Sequence, residues 1–328
     1  MGLKALATGL ALLVLAVVLA VTFGAEPISL ARAVTEPDSL DRTIVLSARL
    51  PRVLLGVVSG AGLAAVGVAF QTLLRNPLAE PFVLGVSGGA AFGATVAILS
   101  GIAAITFVGA SLVPLAALGG GLAATAIVYG VARMSPGAHA TSILLAGVVV
   151  NAIAASAITF LKTLISAAKA QELLFWLMGF LDVPSPGALA SVAGYVALGS
   201  AILLIDAGRL NLLALGDEPA QHLGVDVRAL ERRTFFACSL VVGGIVSVTG
   251  LIGFIGLIVP HALRRLFGPD VRVILPASLL AGGGILVLCD LLSRVLFRFL
   301  HTEPPVGAVT SLLGGPLFLL LLGKRVRV

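Results

Sequence analysis

The stretch Gly208–Arg233 reads GRLNLLALGDEPAQHLGVDVRALERR, and it is the longest polar, charge-bearing segment in the second half of an otherwise apolar chain. Its residues predict two short helices. The first would span Asn211–Leu215 and end at Gly216. The second would be capped by Asp217 or Glu218, whose side chains can accept hydrogen bonds from backbone N–H groups of the first helical turn.

The leucines of this stretch have no obvious core within so short a helix pair, and therefore they must pack elsewhere. They are Leu212, Leu213, Leu215 and Leu223. Two interpretations remain open. The segment is either a reentrant cap on helices of the same chain or a docking surface for a partner on the cytoplasmic side.

The composition of the whole chain is that of a membrane protein. Hydrophobic residues make up 59%, charged residues only 11%, and the mean hydropathy is +1.15, whereas a soluble domain carries about 25% charged residues. We therefore predict an all-α, polytopic membrane protein in which residues 1–328 form one transmembrane domain. Its lysines and arginines are scattered singly between apolar runs, which argues against nucleic-acid binding.

The apolar runs predict about ten transmembrane helices, because a bilayer core needs about 20 apolar residues per helix. The first run is long for a signal peptide, so we expect a retained helix. A weakly amphipathic segment, Ala168–Phe180, is too short to span, and its Trp176 suits a membrane–water interface. The predicted spans are roughly 5–24, 51–74, 82–101, 107–132, 143–164, 187–207, 234–249, 251–266, 274–292 and 306–322.

The distribution of lysine and arginine predicts the orientation. With both termini inside, the inner loops hold 13 and the outer loops 8 of the 21 basic residues. The positive-inside rule then places both termini in the cytoplasm of a cell inner (plasma) membrane protein.

Catalytic and metal-binding patterns are absent from the sequence. The four histidines are isolated, and Cys238 and Cys289 lie in apolar runs as buried small hydrophobes. No GxxxxGK[ST] motif occurs, so any ATP used in transport must be bound by another chain. Asp290 is the main intramembrane carboxylate, and Arg294 lies one turn away as a partner. A proton-coupled carrier would need more such groups.

Six ordered motifs together resemble one family. They are RLPR (Arg49–Arg52), QTLLRNPLAEP (Gln71–Pro81), LGVSGGA (Leu84–Ala90), LALGDEPAQHLGV (Leu213–Val225), GFIGLIVPHALR (Gly253–Arg264) and PVGAVTSLLGGPLF (Pro305–Phe318). The chain is similar to the permeases of ATP-driven importers for iron–siderophore, haem and cobalamin. Glu303-Pro304-Pro305 departs from the family's usual Glu-Leu-Pro, which affects only the local turn.

The resemblance implies a type II importer permease fold and a homodimer with the substrate path on its axis. It also implies two cytoplasmic ATPase subunits, which bind the ATP and Mg, and one periplasmic or surface substrate-binding protein. The chain itself would bind no cofactor and catalyse no reaction. Ferric siderophore, haem and cobalamin all fit as cargo, with a slight preference for ferric siderophore or cobalamin. The rival hypothesis is a secondary transporter or channel.

The predicted site residues form three sets. The family's coupling helices match residues 208–233, with Leu212, Leu213, Leu215, Gly216, Asp217, Glu218, Ala220, Leu223 and Gly224 at the ATPase contact. Its cytoplasmic gate matches His139, Ala140, Thr141 and Ser142. Arg49, Arg52 and Arg294 cluster on the outer side, where basic residues are disfavoured, and arginine suits carboxylates. These three arginines therefore predict a docking site for acidic residues of a binding protein. The alternative is that they anchor the chain at the lipid headgroups.

Overall fold

The computed structural model describes residues 1–101, 106–107, 110–134, 139–183 and 185–323. The helices are α1 (Gly2–Thr22), α2 (Leu30–Thr35), α3 (Leu40–Thr43), α4 (Leu50–Leu73), α5 (Val86–Leu99), α6 (Val113–Arg133), α7 (His139–Lys162), α8 (Ala167–Met178), α9 (Pro186–Leu213), α10 (Asp217–His222), α11 (Val227–Thr249), α12 (Ile255–Phe267), α13 (Val271–Leu300) and α14 (Val306–Gly323). A π-helical turn, Ile44–Arg49, joins α3 to α4, and a 3-10 turn, Pro81–Leu84, precedes α5. The short strands β1 (Thr106–Phe107) and β2 (Ala110–Ser111) pair antiparallel.

Within these described ranges, seven helices are long and apolar enough to cross a membrane. They are α1, the continuous run Leu40–Leu73 that contains α4, and α6, α7, α9, α11 and α13. The shorter α5, α12 and α14 lie at the three remaining predicted spans. Each of the ten predicted spans thus has a helix, and the predicted all-α, polytopic fold is confirmed.

Several predicted boundaries differ from those of the structure, and two of the differences have clear local reasons. Asn211 does not begin a separate helix, because α9 continues through it to Leu213 and buries Leu210 and Leu213 in the core. The helix stops only near Gly216, whose φ of +126° is incompatible with a helix. The predicted pair of short helices is therefore one short helix, α10, between two long ones. The fourth span begins at Val113 instead of 107, because β1 and β2 precede it.

The centre of the bundle is α4 packed against α13. Their backbones approach closely at Gly60 and Gly282, where a Cβ on either glycine would collide with the backbone of the other. Glycine at such crossings lets two membrane helices pack by close contact. The first helix, α1, runs along α13 in the same way, with Gly9 against Ala277 and Gly284 against Leu13.

The α12 helix is short because the chain before it is not helical. Gly250 and Phe254 both have positive φ, +67° and +69°. α11 ends before Gly250, and the segment Gly250–Phe254 leads into α12 at Ile255. The predicted eighth span, 251–266, is consequently shortened at its start, and irregular backbone of this kind must be satisfied by other parts of the protein.

Candidate functional site

The segment between α9 and α11 carries an exposed apolar surface at its two ends. Leu215 is 66% exposed and Leu223 is 58% exposed. Gly216 turns the chain into α10, and its φ of +126° is open to glycine but strained for other residues. Gly224, with φ +82°, makes the left-handed exit after α10 that suits glycine. We call residues 208–233 the α10 segment.

Three residues of the predicted coupling set, Leu213, Gly216 and Ala220, are buried and do not belong to this exposed surface. Leu213 is 1% exposed and Ala220 is 0% exposed, and both are part of the chain's own hydrophobic core. Leu212 is half-buried against the same core. The inner face therefore packs on helices of the same chain, as the first interpretation expects, while docking of a partner stays a prediction for the exposed Leu215 and Leu223.

Polar contacts hold the base of the α10 segment. Buried Asp206 accepts hydrogen bonds from Arg209 at 2.7 Å and from Arg233 at 3.0 Å, which joins α9 to α11. Asn211 donates to the Asp270 carboxylate at 2.6 Å and accepts from the Val271 N–H at 2.8 Å, which joins α9 to α13. The exposed Leu215 and Leu223 thus flank a short helix, α10, whose neighbours α9 and α11 are joined to each other and to α13 by these contacts.

Two of the three predicted docking arginines are buried at the opposite end of the bundle. Arg49 is 5% exposed and donates from Nη1 to the carbonyls of Val21 and Thr22, each at 2.8 Å. Arg294 is also 5% exposed and donates to the Ala20 carbonyl at 3.2 Å. Both guanidinium groups satisfy carbonyls at the C-terminal end of α1, which lack partners within the helix. The expectation that they offer free forks to a partner is therefore wrong.

The third arginine, Arg52, belongs to a buried charge network. Its Nη2 lies 2.7 Å from Asp290 Oδ1 and also contacts Glu303, while Asp182 is 4.0 Å away. Asp290 Oδ2 lies 2.9 Å from Arg294 Nε, so the predicted pairing of Asp290 with Arg294 is confirmed. This network links α4, α13 and the α13–α14 turn.

The predicted gate residues lie in a helix instead of a loop. The α7 helix begins at His139, so His139, Ala140, Thr141 and Ser142 form its first turn. Thr141 is exposed and Ser142 is half-buried, while the side chains of His139 and Ala140 lie outside the described residues. Their role as a cytoplasmic gate stays a prediction.

Bulky apolar substitutions in this turn are expected to stop transport. Ser142→Phe should reduce uptake to background because the ring would fill the space beside the helix start, whereas Ser142→Ala should transport normally. Cysteines introduced at Thr141 should crosslink between two copies in the closed state, with little background because Cys238 and Cys289 are buried. Normal uptake by Ser142→Phe, or no crosslink under any nucleotide condition, would place the gate elsewhere.

Sequence analysis missed two polar side chains that join distant elements. Glu80 Oε1 accepts a hydrogen bond from the Phe254 N–H at 2.6 Å. Asn151, on α7, donates to the Phe82 carbonyl at 2.7 Å and accepts from the Gly88 N–H at 3.1 Å. The available signal was an asparagine inside an apolar run and an acid in the turn motif RNPLAEP.

The Glu80 carboxyl is partly shielded from water. It lies in the non-helical connection between α4 and α5, and burial raises its pKa above the ordinary value, an effect that the Phe254 N–H bond opposes.

The prediction that this chain holds no metal is not tested by the structure. Within the described ranges, no group of three or more His, Cys, Asp or Glu side chains is arranged to hold a metal ion.

The fold and this arrangement of contacts define a polytopic helical transport permease. Residues 12–324 match the FecCD transport family, and the chain belongs to that family. It is 41% identical over 284 residues to the cobalamin import system permease protein of Halobacterium salinarum, covering 87% of this chain and 74% of that protein. It is 40% identical over 291 residues to the hemin transport system permease protein of Yersinia pestis, covering 86% and 84%.

A solved structure has the same fold over the full length. It is described as an inward-facing conformation of a metal-chelate type ABC transporter, and its TM-score with this chain is 0.85. The two share 30% sequence identity, and the alignment covers 99% of this chain and 100% of the other. The predicted family and fold are therefore both confirmed.

Proposed function

We propose that this chain is the membrane-spanning subunit of an ATP-driven importer that moves a metal chelate into the cytoplasm by alternating access. The observation that carries the proposal is the family match over residues 12–324, together with the full-length likeness to a metal-chelate type ABC transporter. Relatives named for cobalamin and hemin support cargo of that size and kind. Ferric siderophore stays within the proposed cargo class.

The α10 segment is the proposed contact with a separate ATPase subunit. Exposed leucines on either side of a short helix, Leu215 before α10 and Leu223 after it, present the kind of apolar anchor that fills a pocket in a partner. Lysines and arginines concentrate at this end, which favours a cytoplasmic position for it and for both termini. Hydrolysis would then occur on two ATPase subunits that bind ATP and Mg, and movement of α10 would drive this chain.

A second copy of the chain is the proposed partner within the membrane. The α7 and α14 helices expose large apolar side chains, with Leu145 at 62%, Ile153 at 63% and Leu312 at 75%. In the family these helices line a path on the dimer axis. The first turn of α7 would then serve as its cytoplasmic gate.

Docking of a periplasmic or surface binding protein is proposed at the end opposite α10. Of the three arginines predicted for this role, Arg52 borders an open cavity of about 710 Å³, together with Asp182, Pro51 and Leu189. A carboxylate from the partner could approach Arg52 there. Arg49 and Arg294 would support that surface from inside the bundle, because both side chains are buried and donate to carbonyls of α1.

Reconstitution in liposomes tests the proposed function. The chain, its ATPase and a binding protein loaded with cargo are expected to accumulate cargo only when ATP is present. The rival hypothesis, a secondary transporter, predicts uptake that follows an imposed proton or sodium gradient without ATP. Uptake of that second kind would overturn the proposal.

A further inference from the structure

The non-helical connection between α4 and α5 contacts more elements than a simple turn requires. We define the α4–α5 connection as residues 75–84, which include the 3-10 turn Pro81–Leu84. Its contacts reach α10, α7 and the segment before α12.

The first end of the connection is joined to α10 by an ion pair. Arg75 Nη2 lies 2.5 Å from Asp217 Oδ1 at the start of α10. Arg75 also has a left-handed backbone, with φ +47°, which is uncommon for a residue other than glycine. Both side chains are about two-fifths exposed, 41% and 44%, so a partner seated on α10 would lie next to this pair.

The middle of the connection is stiff. Asn76 Oδ1 accepts from the Leu78 N–H at 2.9 Å, and the Ala79 N–H donates to the Asn76 carbonyl at 3.0 Å. Pro77 lies between them and has a fixed φ. Ala79 is 1% exposed. A short segment with these constraints moves as a unit, because few of its backbone dihedrals are free.

The second end of the connection is joined to two further elements. Glu80 accepts a hydrogen bond from the N–H of Phe254, the residue directly before α12. Asn151 holds the Phe82 carbonyl and the Gly88 N–H, so α7 is tied to the same end. The bond from the Phe254 N–H to the partly buried Glu80 carboxylate is of the stronger, charge-assisted kind when that group is ionised.

A cavity lies beside this second end. It has a volume of about 630 Å³, and Glu80, Phe82 and Phe254 line it together with Ala308 and Ser311 of α14. Displacement of Glu80 or Phe254 would therefore change the space next to α14. The connection thus lies between α10 on one side and α7, α12 and α14 on the other.

We infer that the α4–α5 connection transmits displacement of α10 to α7 and to the cavity beside α14. Arg75 receives the displacement from α10, and Glu80 and Asn151 transmit it to the segment before α12 and to α7. This inference rests on the proposed function, in which an ATPase moves α10. Contiguous contacts of this kind carry coupling only if the element has two arrangements, and that is what the experiment tests. All three are positioning residues, since none is assigned a contact with cargo.

The test measures cargo transported per ATP hydrolysed in liposomes that contain the full importer. Arg75→Glu places a carboxylate against Asp217, and Asn151→Leu removes, at similar volume, the bond to the connection at Phe82 and the bond to α5 at Gly88. Each is expected to lower the transport-to-hydrolysis ratio about three- to tenfold. The matched controls are Arg265→Glu, an exposed arginine on α12, and Thr159→Val, whose hydroxyl bonds only within α7. Both controls should keep the wild-type ratio.

The outcomes separate this inference from the proposed function. If the wild-type chain does not associate with an ATPase at all, the proposed function fails. If it does, and Asn151→Leu is folded but transports with the wild-type ratio, the inference is overturned. Arg75 lies close to the proposed ATPase contact, so copurification of the ATPase with the Arg75→Glu variant is measured as well. If that variant no longer binds the ATPase, the result for Asn151→Leu alone decides the test. Asn151→Gln, which keeps the amide, should recover part of the ratio if the bonds matter.

Discussion

Asp290→Ala is expected to destabilise this permease by about 3–5 kcal/mol, because the change leaves buried cationic partners uncompensated. Asp290 is 1% exposed, and its two carboxylate oxygens face Arg52 at 2.7 Å and Arg294 at 2.9 Å. Removing the carboxylate leaves two guanidinium groups close together, with Glu303 and the exposed Asp182 as the nearby counter-charges on Arg52. The measurement is the unfolding midpoint of the purified chain in mixed micelles with increasing SDS.

A matched acidic residue provides the control. Asp182 also lies near Arg52, at 4.0 Å, but its side chain is 83% exposed. Asp182→Ala should therefore change stability by less than about 1 kcal/mol, as exposed pairs do. Asp290→Ala combined with Arg294→Met should recover part of the loss, because removing both partners leaves fewer unpaired charges. Equal midpoints for the two single alanine variants would contradict the importance of the buried network.

Leu215→Asp is expected to weaken ATPase association at least tenfold, which is about 1.4 kcal/mol or more, while the permease stays folded. Leu215 is 66% exposed, so the charge costs little in the free chain but would be desolvated under a partner. Leu223→Asp, at the other exposed end of α10, should act in the same direction. The measurement is ATPase affinity for the reconstituted chain, with transport per ATP as a second readout.

The buried face of the same segment supplies a contrasting variant. Leu213 is 1% exposed, so Leu213→Asp should lower the unfolding midpoint, whereas Leu215→Asp should leave it unchanged. Leu266, at the end of α12, is 68% exposed and lies outside the α10 segment. Leu266→Asp is expected to keep ATPase affinity. If Leu215→Asp binds the ATPase as tightly as Leu266→Asp does, the docking role of α10 is wrong. Gly216→Pro is a poorer test, because φ at Gly216 is +126° and proline requires about −65°.

The sequence by itself determined the membrane class, the position of ten apolar spans that each hold a helix, and the position of the polar α10 segment. Apolar runs of about 20 residues are a local property that needs no knowledge of the fold, because each helix must satisfy the bilayer on its own. The partner of Asp290 was also predictable, because Arg294 lies four residues away on one helix face. The separate short helix predicted over 211–215 does not exist, because the end of α9 depends on whether Leu213 packs in the core, which the sequence does not show.

Only the tertiary structure decided which polar groups are free. Arg49 and Arg294 look like outward-facing sockets in the sequence, yet their partners are carbonyls of α1, between 27 and 274 residues away along the chain. Leu213 and Leu215 are two residues apart, but the packing of α9 buries one and exposes the other. The bond from Glu80 to Phe254 spans 174 residues. A guanidinium or carboxylate is satisfied by whatever the fold brings within about 3 Å, and that proximity is set by helix packing across the whole chain.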